Sequence, residues 1–203
     1  MKSVLVDLND AAATLPNSYN SVENITPLET PLSSTINGAA LATPVFLSLY
    51  AENDLRLDKY FAETDEKGFR KNKKAGSNNY LCTFRVGEIY LTAAEAAARL
   101  GELSQARTRL LELMRKRYAP EAYEAKSVVV NAMDKEPLVQ EILDERAREL
   151  AFEGHRWFDL RRSTRPRLEK VLDGTRYVLE ENDARYTLAI PKEAIEANPG
   201  LLN

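Results

Sequence analysis

The chain has 203 residues, 28 Lys and Arg against 31 Asp and Glu for a net charge of −3, 44% apolar residues, one Cys and one His. That length supports one sizeable core or two small ones, and so ordinary a composition excludes a disordered, collagenous or disulfide-framed chain. The near-neutral charge lacks the footprint of a general nucleic-acid binder, no apolar run approaches the ~18 residues of a membrane-spanning helix, and Cys82 with His155 cannot make a four-ligand structural zinc site.

At the amino terminus, Met1-Lys2-Ser3-Val4-Leu5-Val6 offers one positive charge and three apolar residues before Asp7. An export signal needs an apolar region of about 7–15 residues. As written, the chain is expected to be intracellular or to lack its natural start. Residues 9–44, with prolines at 16, 27, 31 and 44, are rich in Ser, Thr and Asn and read as irregular loop with a short strand. So long a loop is expected to be functional or to lie against a missing part. Between 45 and 61, Leu47, Leu49, Leu55, Leu57 and Phe61 surround Asn53-Asp54-Leu55-Arg56, a short element or turn of undecided type. Lys67, Arg70, Lys71, Lys73 and Lys74 then crowd the polar stretch from Glu63 to Asn79. Such a cluster could meet phosphate, but the acids, Gly and Asn among it favour a solvated loop.

From Phe84 to Leu100, Ile89, Ala93, Ala97 and Leu100 recur at the spacing of an amphipathic helix, and Gly101 supplies a left-handed stop. Ser104 is the expected cap of a second helix with Ala106, Leu110, Leu113 and Met114 on its apolar stripe. So short a connection makes the two antiparallel, and Ala93, Ala94, Ala96, Ala97, Ala98 and Ala106 let their axes approach. A loop with Pro120, Tyr123 and the β-prone run Val128-Val129-Val130 is expected next. Asp134 then caps a third helix, with Pro137 in its first turn, that buries Leu138, Ile142, Leu143, Ala147, Leu150 and Ala151 and ends near Arg161-Arg162. Thr175 to Leu179 and Arg185 to Ile190 read as extended, and Pro191 opens a brief helical turn.

Chemistry-bearing constellations are few. Glu145, Glu149 and Glu153 share a helix face, yet a bundle metal site wants Glu-x-x-His, and Glu153-Gly154-His155 is one residue too short. Ion pairs with Arg146, Arg148 and Arg156 account for these acids more simply, so no metal and no cofactor are expected. A carboxylate pair for glycosidic cleavage is defined by distance across a cleft and has no local support here. Nucleophile elbows and phosphate-cradling glycine loops are missing from the sequence. His155, beside Trp157 and Phe158, is better read as structural than catalytic. Tyrosines are 9 of 15 Tyr and Phe residues, and a flat apolar ring with a polar tip suits sugars. Tyr90 reads as core. Tyr19 and Tyr50, in or beside the loop-rich region, are the candidate ligand-binding residues.

The stretch Phe84-Arg85-Val86-Gly87-Glu88-Ile89-Tyr90-Leu91, with Ala94-Glu95-Ala96 and Arg99-Leu100-Gly101, resembles the carboxy-terminal region of the SusD/RagB family of outer-membrane nutrient-binding proteins. The run from Ile142-Leu143-Asp144-Glu145-Arg146 through Glu149-Leu150-Ala151-Phe152-Glu153-Gly154-His155-Arg156-Trp157-Phe158-Asp159-Leu160-Arg161-Arg162 is similar to the family's most specific signature. Asn53-Asp54-Leu55-Arg56-Leu57-Asp58-Lys59-Tyr60-Phe61 and the ending Leu188-Ala189-Ile190-Pro191 with Asn198-Pro199 agree in order. The resemblance implies a mainly α fold of tetratricopeptide-like helical hairpins with irregular loops and a few short strands. It implies a non-enzymatic glycan- or oligosaccharide-binding component that works with a TonB-dependent (SusC-like) transporter at the outer membrane, surface-exposed and held by a lipid anchor that this chain does not carry. Physically, the acids and arginines of the Glu145 to Arg162 run can tie helices together while Phe152, Trp157 and Phe158 bury area at the helix end. The expected segments are 1–83, loop-rich and partly ligand-side; 84–162, the helical core; and 163–203, a mixed segment packing on that core. The chain lacks the family's amino-terminal half, so truncation is expected.

Two rival readings stand beside this one. Tyr90 to Leu113 also looks like one tetratricopeptide unit of a free-standing interaction scaffold, but a shift by about 34 residues puts Asp134 and Lys135 where Leu100 and Gly101 stand. An enzyme is the third.

Overall fold

The structure, a computed structural model, describes residues 24–29, 41–66, 68–74, 80–172, 174–187, 190–198 and 200, in two units, Met1–Arg156 and Trp157–Asn203. In the first unit β1 (Asn24–Glu29) pairs antiparallel with β5 (Tyr80–Arg85), Thr26 opposite Phe84 and Leu28 opposite Cys82. Between them, β2 (Leu41–Ala42), β3 (Phe61–Thr64) and β4 (Arg70–Asn72) form a small antiparallel sheet in the order β2-β4-β3. The stretch of undecided type resolves into two helical turns, α1 (Pro44–Leu47) and α2 (Arg56–Tyr60), too short to show a helical period. Thr43 caps α1, its hydroxyl accepting from the Phe46 N–H at 3.2 Å, and Pro44 takes the first helical position.

Phe61 is the hub of the apolar cluster these elements enclose. Its ring meets Tyr50, Phe152 and Phe46 edge-on at 5.2, 5.9 and 6.5 Å. Such T-shaped pairs set the positive ring edge against the negative face, so they hold geometry as well as apolar area.

The larger core lies in the helices. α3 (Val86–Leu100) ends as expected at Gly101, whose φ of 86° is left-handed. The Gly101 N–H donates to the Ala98 carbonyl at 3.1 Å and the Glu102 N–H to Ala97 at 2.9 Å, the Schellman pattern. α4 (Leu103–Met114) starts at once, preceded by Glu102, so Ser104 lies inside the first turn and is not the cap. Ala93, Ala94, Ala97, Ala98 and Ala106 are all buried, as the close approach of a helical hairpin requires.

α5 (Pro120–Ala132) replaces the expected loop and contains the whole run Val128-Val129-Val130. Val130 is buried while Val128 and Val129 are 70% and 57% exposed, so burial of one face, with Ala122 and Tyr123 packed on the same core, overrides β preference. α6 (Lys135–Glu149) starts after Asp134, whose backbone carbonyl accepts from Leu138 at 3.0 Å. It stops twelve residues short of the expected end at Arg161. Phe152 (φ 64°) and Gly154 (φ 83°) are left-handed and turn the chain into a separate helix, α7 (His155–Arg162).

The division between the units falls within α7. In the second unit β6 (Leu168–Leu172) and β7 (Thr175–Leu179) make an antiparallel hairpin with Lys170 opposite Tyr177. Arg185 to Ile190 was expected to be extended, but 184–186 form a 3₁₀ turn that buries Tyr186. Its ring stacks on Trp157 at 5.1 Å and 12°, and its hydroxyl donates to the Pro166 carbonyl. α8 (Lys192–Ala197) follows Pro191, as expected. Helices dominate, with short antiparallel strands between them, the mainly α class expected.

Candidate functional site

The signature residues meet along one stripe of α6. Leu138, Ile142, Glu145 and Glu149, spaced four, three and four, share a buried helix face that is apolar in its first half and anionic in its second. The anionic half is met by arginines from three other places in the chain, Arg56, Arg85 and Arg117, and by Arg148 of α6 itself. Arg56 donates to Glu145 at 2.7 Å and to Glu149 at 3.2 Å, and grips Asp54 through two bonds of 2.9 and 2.8 Å. Arg117 forks onto Glu149 with two bonds of 2.6 Å, and Arg85 reaches the same carboxylate at 3.1 Å. Arg85 also donates to Glu153 at 2.8 Å, and Arg148 to Glu145 at 2.7 Å. The Tyr118 hydroxyl donates to Glu145 at 3.2 Å, while its ring and that of Tyr50 lie 5.3 and 5.8 Å from the Arg56 guanidinium.

Glu145 and Glu149 are fully buried and Arg56 is 2% exposed, so every charge here has left water and depends on its partners. Burial alone would raise the Glu149 carboxyl, but the Arg117 guanidinium, with Arg85 and Arg56, overcomes it and holds the group well below the usual carboxylate range. Glu145 is likewise held low, by Arg56 and Arg148 against burial. Burial opposes the Arg56 charge, and Glu145, Asp54 and Glu149 raise its affinity for the proton well above the ordinary value. These carboxylates therefore stay ionised and already accept from guanidinium groups. A general acid needs a proton to give near neutral pH, and a metal needs free carboxylate lone pairs. The arrangement locks α6 to its neighbours. Among the described residues, no group of three or more His, Cys, Asp or Glu is placed to hold a metal.

The expected ligand residues fare differently. Tyr19 lies outside the described residues. Tyr50 is buried in the aromatic cluster, its hydroxyl donating to the Arg148 carbonyl at 2.7 Å and its phenol pushed up by burial. It presents neither ring face nor hydroxyl to a dissolved ligand. His155 is half-buried with Nδ1 3.7 Å from the Glu88 carboxylate. Phe158, expected to bury area at the helix end, is 63% exposed, because α7 stacks Trp157 inward and turns Phe158 out. Sequence reasoning missed Asp54, Arg56 and Arg117 as network members, because the contacts span up to 93 positions and have no local period. The one available signal was the Asn53-Asp54-Leu55-Arg56 motif itself.

Gly87 explains another motif position. A Cβ there would meet Glu149 Oε1 at 3.0 Å and Cγ at 3.3 Å. Arg117 and Arg85 pin that carboxylate, so it cannot move aside. Gly87→Ala is therefore expected to destabilise the fold by about 1–3 kcal/mol, despite the better helix propensity of alanine. A urea midpoint equal to or above that of the native sequence would refute the close-approach argument.

The SusD family profile matches residues 39–203. No curated protein matches the chain significantly. Among solved structures, a SusD-like carbohydrate binding protein from Bacteroides vulgatus ATCC 8482 superposes with a TM-score of 0.59 at 19% identity, over 94% of this chain and 50% of its own. The chain thus spans half the length of that protein, and at this identity the likeness is one of fold. With the profile covering all of the interlocked helices and the signature residues forming one buried network, the chain belongs to the SusD family.

Proposed function

We propose that the chain is a non-enzymatic glycan-binding component that acts with a TonB-dependent, SusC-like transporter at the outer membrane, as the carboxy-terminal portion of a longer protein. The observation that carries this is the family match over residues 39–203, joined to a fold shared with a protein described as carbohydrate binding. The saturated state of Glu145 and Glu149 supports a scaffold over a catalyst. Tyr19 remains the proposed ligand contact of the two tyrosines, and Tyr50 is given the role of fixing the aromatic cluster around Phe61.

The test is isothermal titration with oligosaccharides from a glycan-array hit, on this chain and on a version extended by an amino-terminal half, together with co-purification of the transporter. Saturable glycan binding by the extended protein and its loss in Tyr19→Ala are the expected results. Absence of binding and of transporter capture by both would sink the proposal. The α3/α4 hairpin favours a second reading as a protein-interaction scaffold, which predicts capture of protein partners with no response to any glycan.

A further inference from the structure

One cation of this region is a lysine, and its surroundings differ from those of the arginines. Lys74 follows β4 in a stretch expected to be solvated, yet its side chain is 13% exposed. Its ammonium donates to the Glu149 carbonyl at 2.6 Å, to the Ala151 carbonyl at 3.2 Å and to the Glu153 carboxylate, and it stands 4.5 Å from the Tyr60 ring centroid. Three oxygens and one ring face match the needs of a primary ammonium, which has three N–H donors on one atom and a positive charge that an aromatic face attracts. The two carbonyls belong to the last turn of α6 and the residues just past it, where helix carbonyls lack intrahelical partners and the helix dipole favours a cation.

We propose that the carboxy-terminal turn of α6 is a binding cage for a primary ammonium group, filled by Lys74 of the same chain as a latch on the end of β4, and that a small alkylammonium ion takes the cage when this plug is removed. The backbone beside Lys74 is tied to the same place: the Lys73 N–H donates to the Tyr60 carbonyl at 2.9 Å, so losing the latch loosens a segment already held at its neighbour. The groups facing the ammonium are Glu149 at the end of α6, Glu153 in the turn that follows it, Arg85 at the end of β5 and Tyr60 at the end of α2. Burial, and then the nearby Arg85 charge, lower the Lys74 amine to about 8, against the pull of Glu153 and Glu149.

The test is thermal unfolding of the full chain and of Lys74→Ala, each titrated with ethylammonium chloride and, at matched ionic strength, with tetramethylammonium chloride. The variant is expected to melt about 4 °C lower. Ethylammonium should restore part of that loss in the variant while leaving the native sequence unmoved, and tetramethylammonium, which has no N–H donor, should act on neither. Equal responses of variant and native sequence to the two salts would overturn the cage. If Lys74→Ala does not fold, Lys74→Met, which keeps the apolar stem, takes its place in the same titration. An independent measurement uses the native chain: on brief acetylation, Lys74 should be modified at least tenfold more slowly than the exposed Lys71 and Lys73 beside it. Equal modification of the three would likewise overturn the proposal.

Discussion

Glu149→Gln is expected to lower the unfolding free energy by about 3–5 kcal/mol, the cost of breaking a buried ion pair from one side. The substitution keeps the shape and removes the charge. Arg117, Arg85 and Arg56 would then share a buried space with one carboxylate fewer, and the forked Arg117 contact, two bonds of 2.6 Å, would lose its charge assistance. Because a domain is stable by only about 5–15 kcal/mol, this one atom change would consume much of the total. The exposed Lys192 to Glu196 pair is the control: at 86% and 64% exposure its removal should be barely detectable. Urea unfolding with an unchanged m value measures both. A loss under about 1 kcal/mol for Glu149→Gln would show that water, not the arginines, satisfies that carboxylate.

Acid is expected to unfold the helical unit through the same groups. Glu145 and Glu149 are fully buried, and both titrate below their ordinary value of 4.5 in the folded chain. A carboxyl depressed by folding contributes stability that is fully present above its unfolded value and is lost as pH falls through the folded one. The unfolding free energy should therefore be insensitive to these two groups from neutral pH down to about 4.5 and should fall steeply below it. Glu149→Gln should be less stable throughout yet show a shallower slope in that acid window, since it binds one proton fewer on unfolding. Equal slopes would mean that other carboxyls drive acid unfolding. At the alkaline end the sign reverses: burial raises the phenols of Tyr50 and Tyr118, so their contribution is intact below 10 and drains as pH rises beyond it.

The helical hairpin was legible because its signals are local. Apolar residues recur at helical spacing along α3, Gly101 must be left-handed, and alanines permit close approach. Local signals failed where a larger interaction overrode them. Val128 to Val130 prefer strands, yet they lie in α5 because burying Val130 with Ala122 and Tyr123 outweighs a fraction of a kilocalorie of propensity per residue. The expected long third helix broke into α6 and α7 because Phe152 adopts a left-handed φ that its residue type does not advertise.

Composition, helix periods and signature motifs were enough, by themselves, to determine a mainly α chain, its family and its central hairpin. Tertiary structure decided which partners the signature uses. The acids and arginines of the Glu145 to Arg162 run read as able to tie helices together, but sequence shows only ion pairs three or four residues apart and not the partners from elsewhere in the chain. Folding brings Asp54, Arg56, Lys74, Arg85 and Arg117 against Glu145, Glu149 and Glu153, and the water is gone. In that low-dielectric interior the same charges bind tightly enough to set helix position, and Gly87 is required only because Glu149 passes within contact of it.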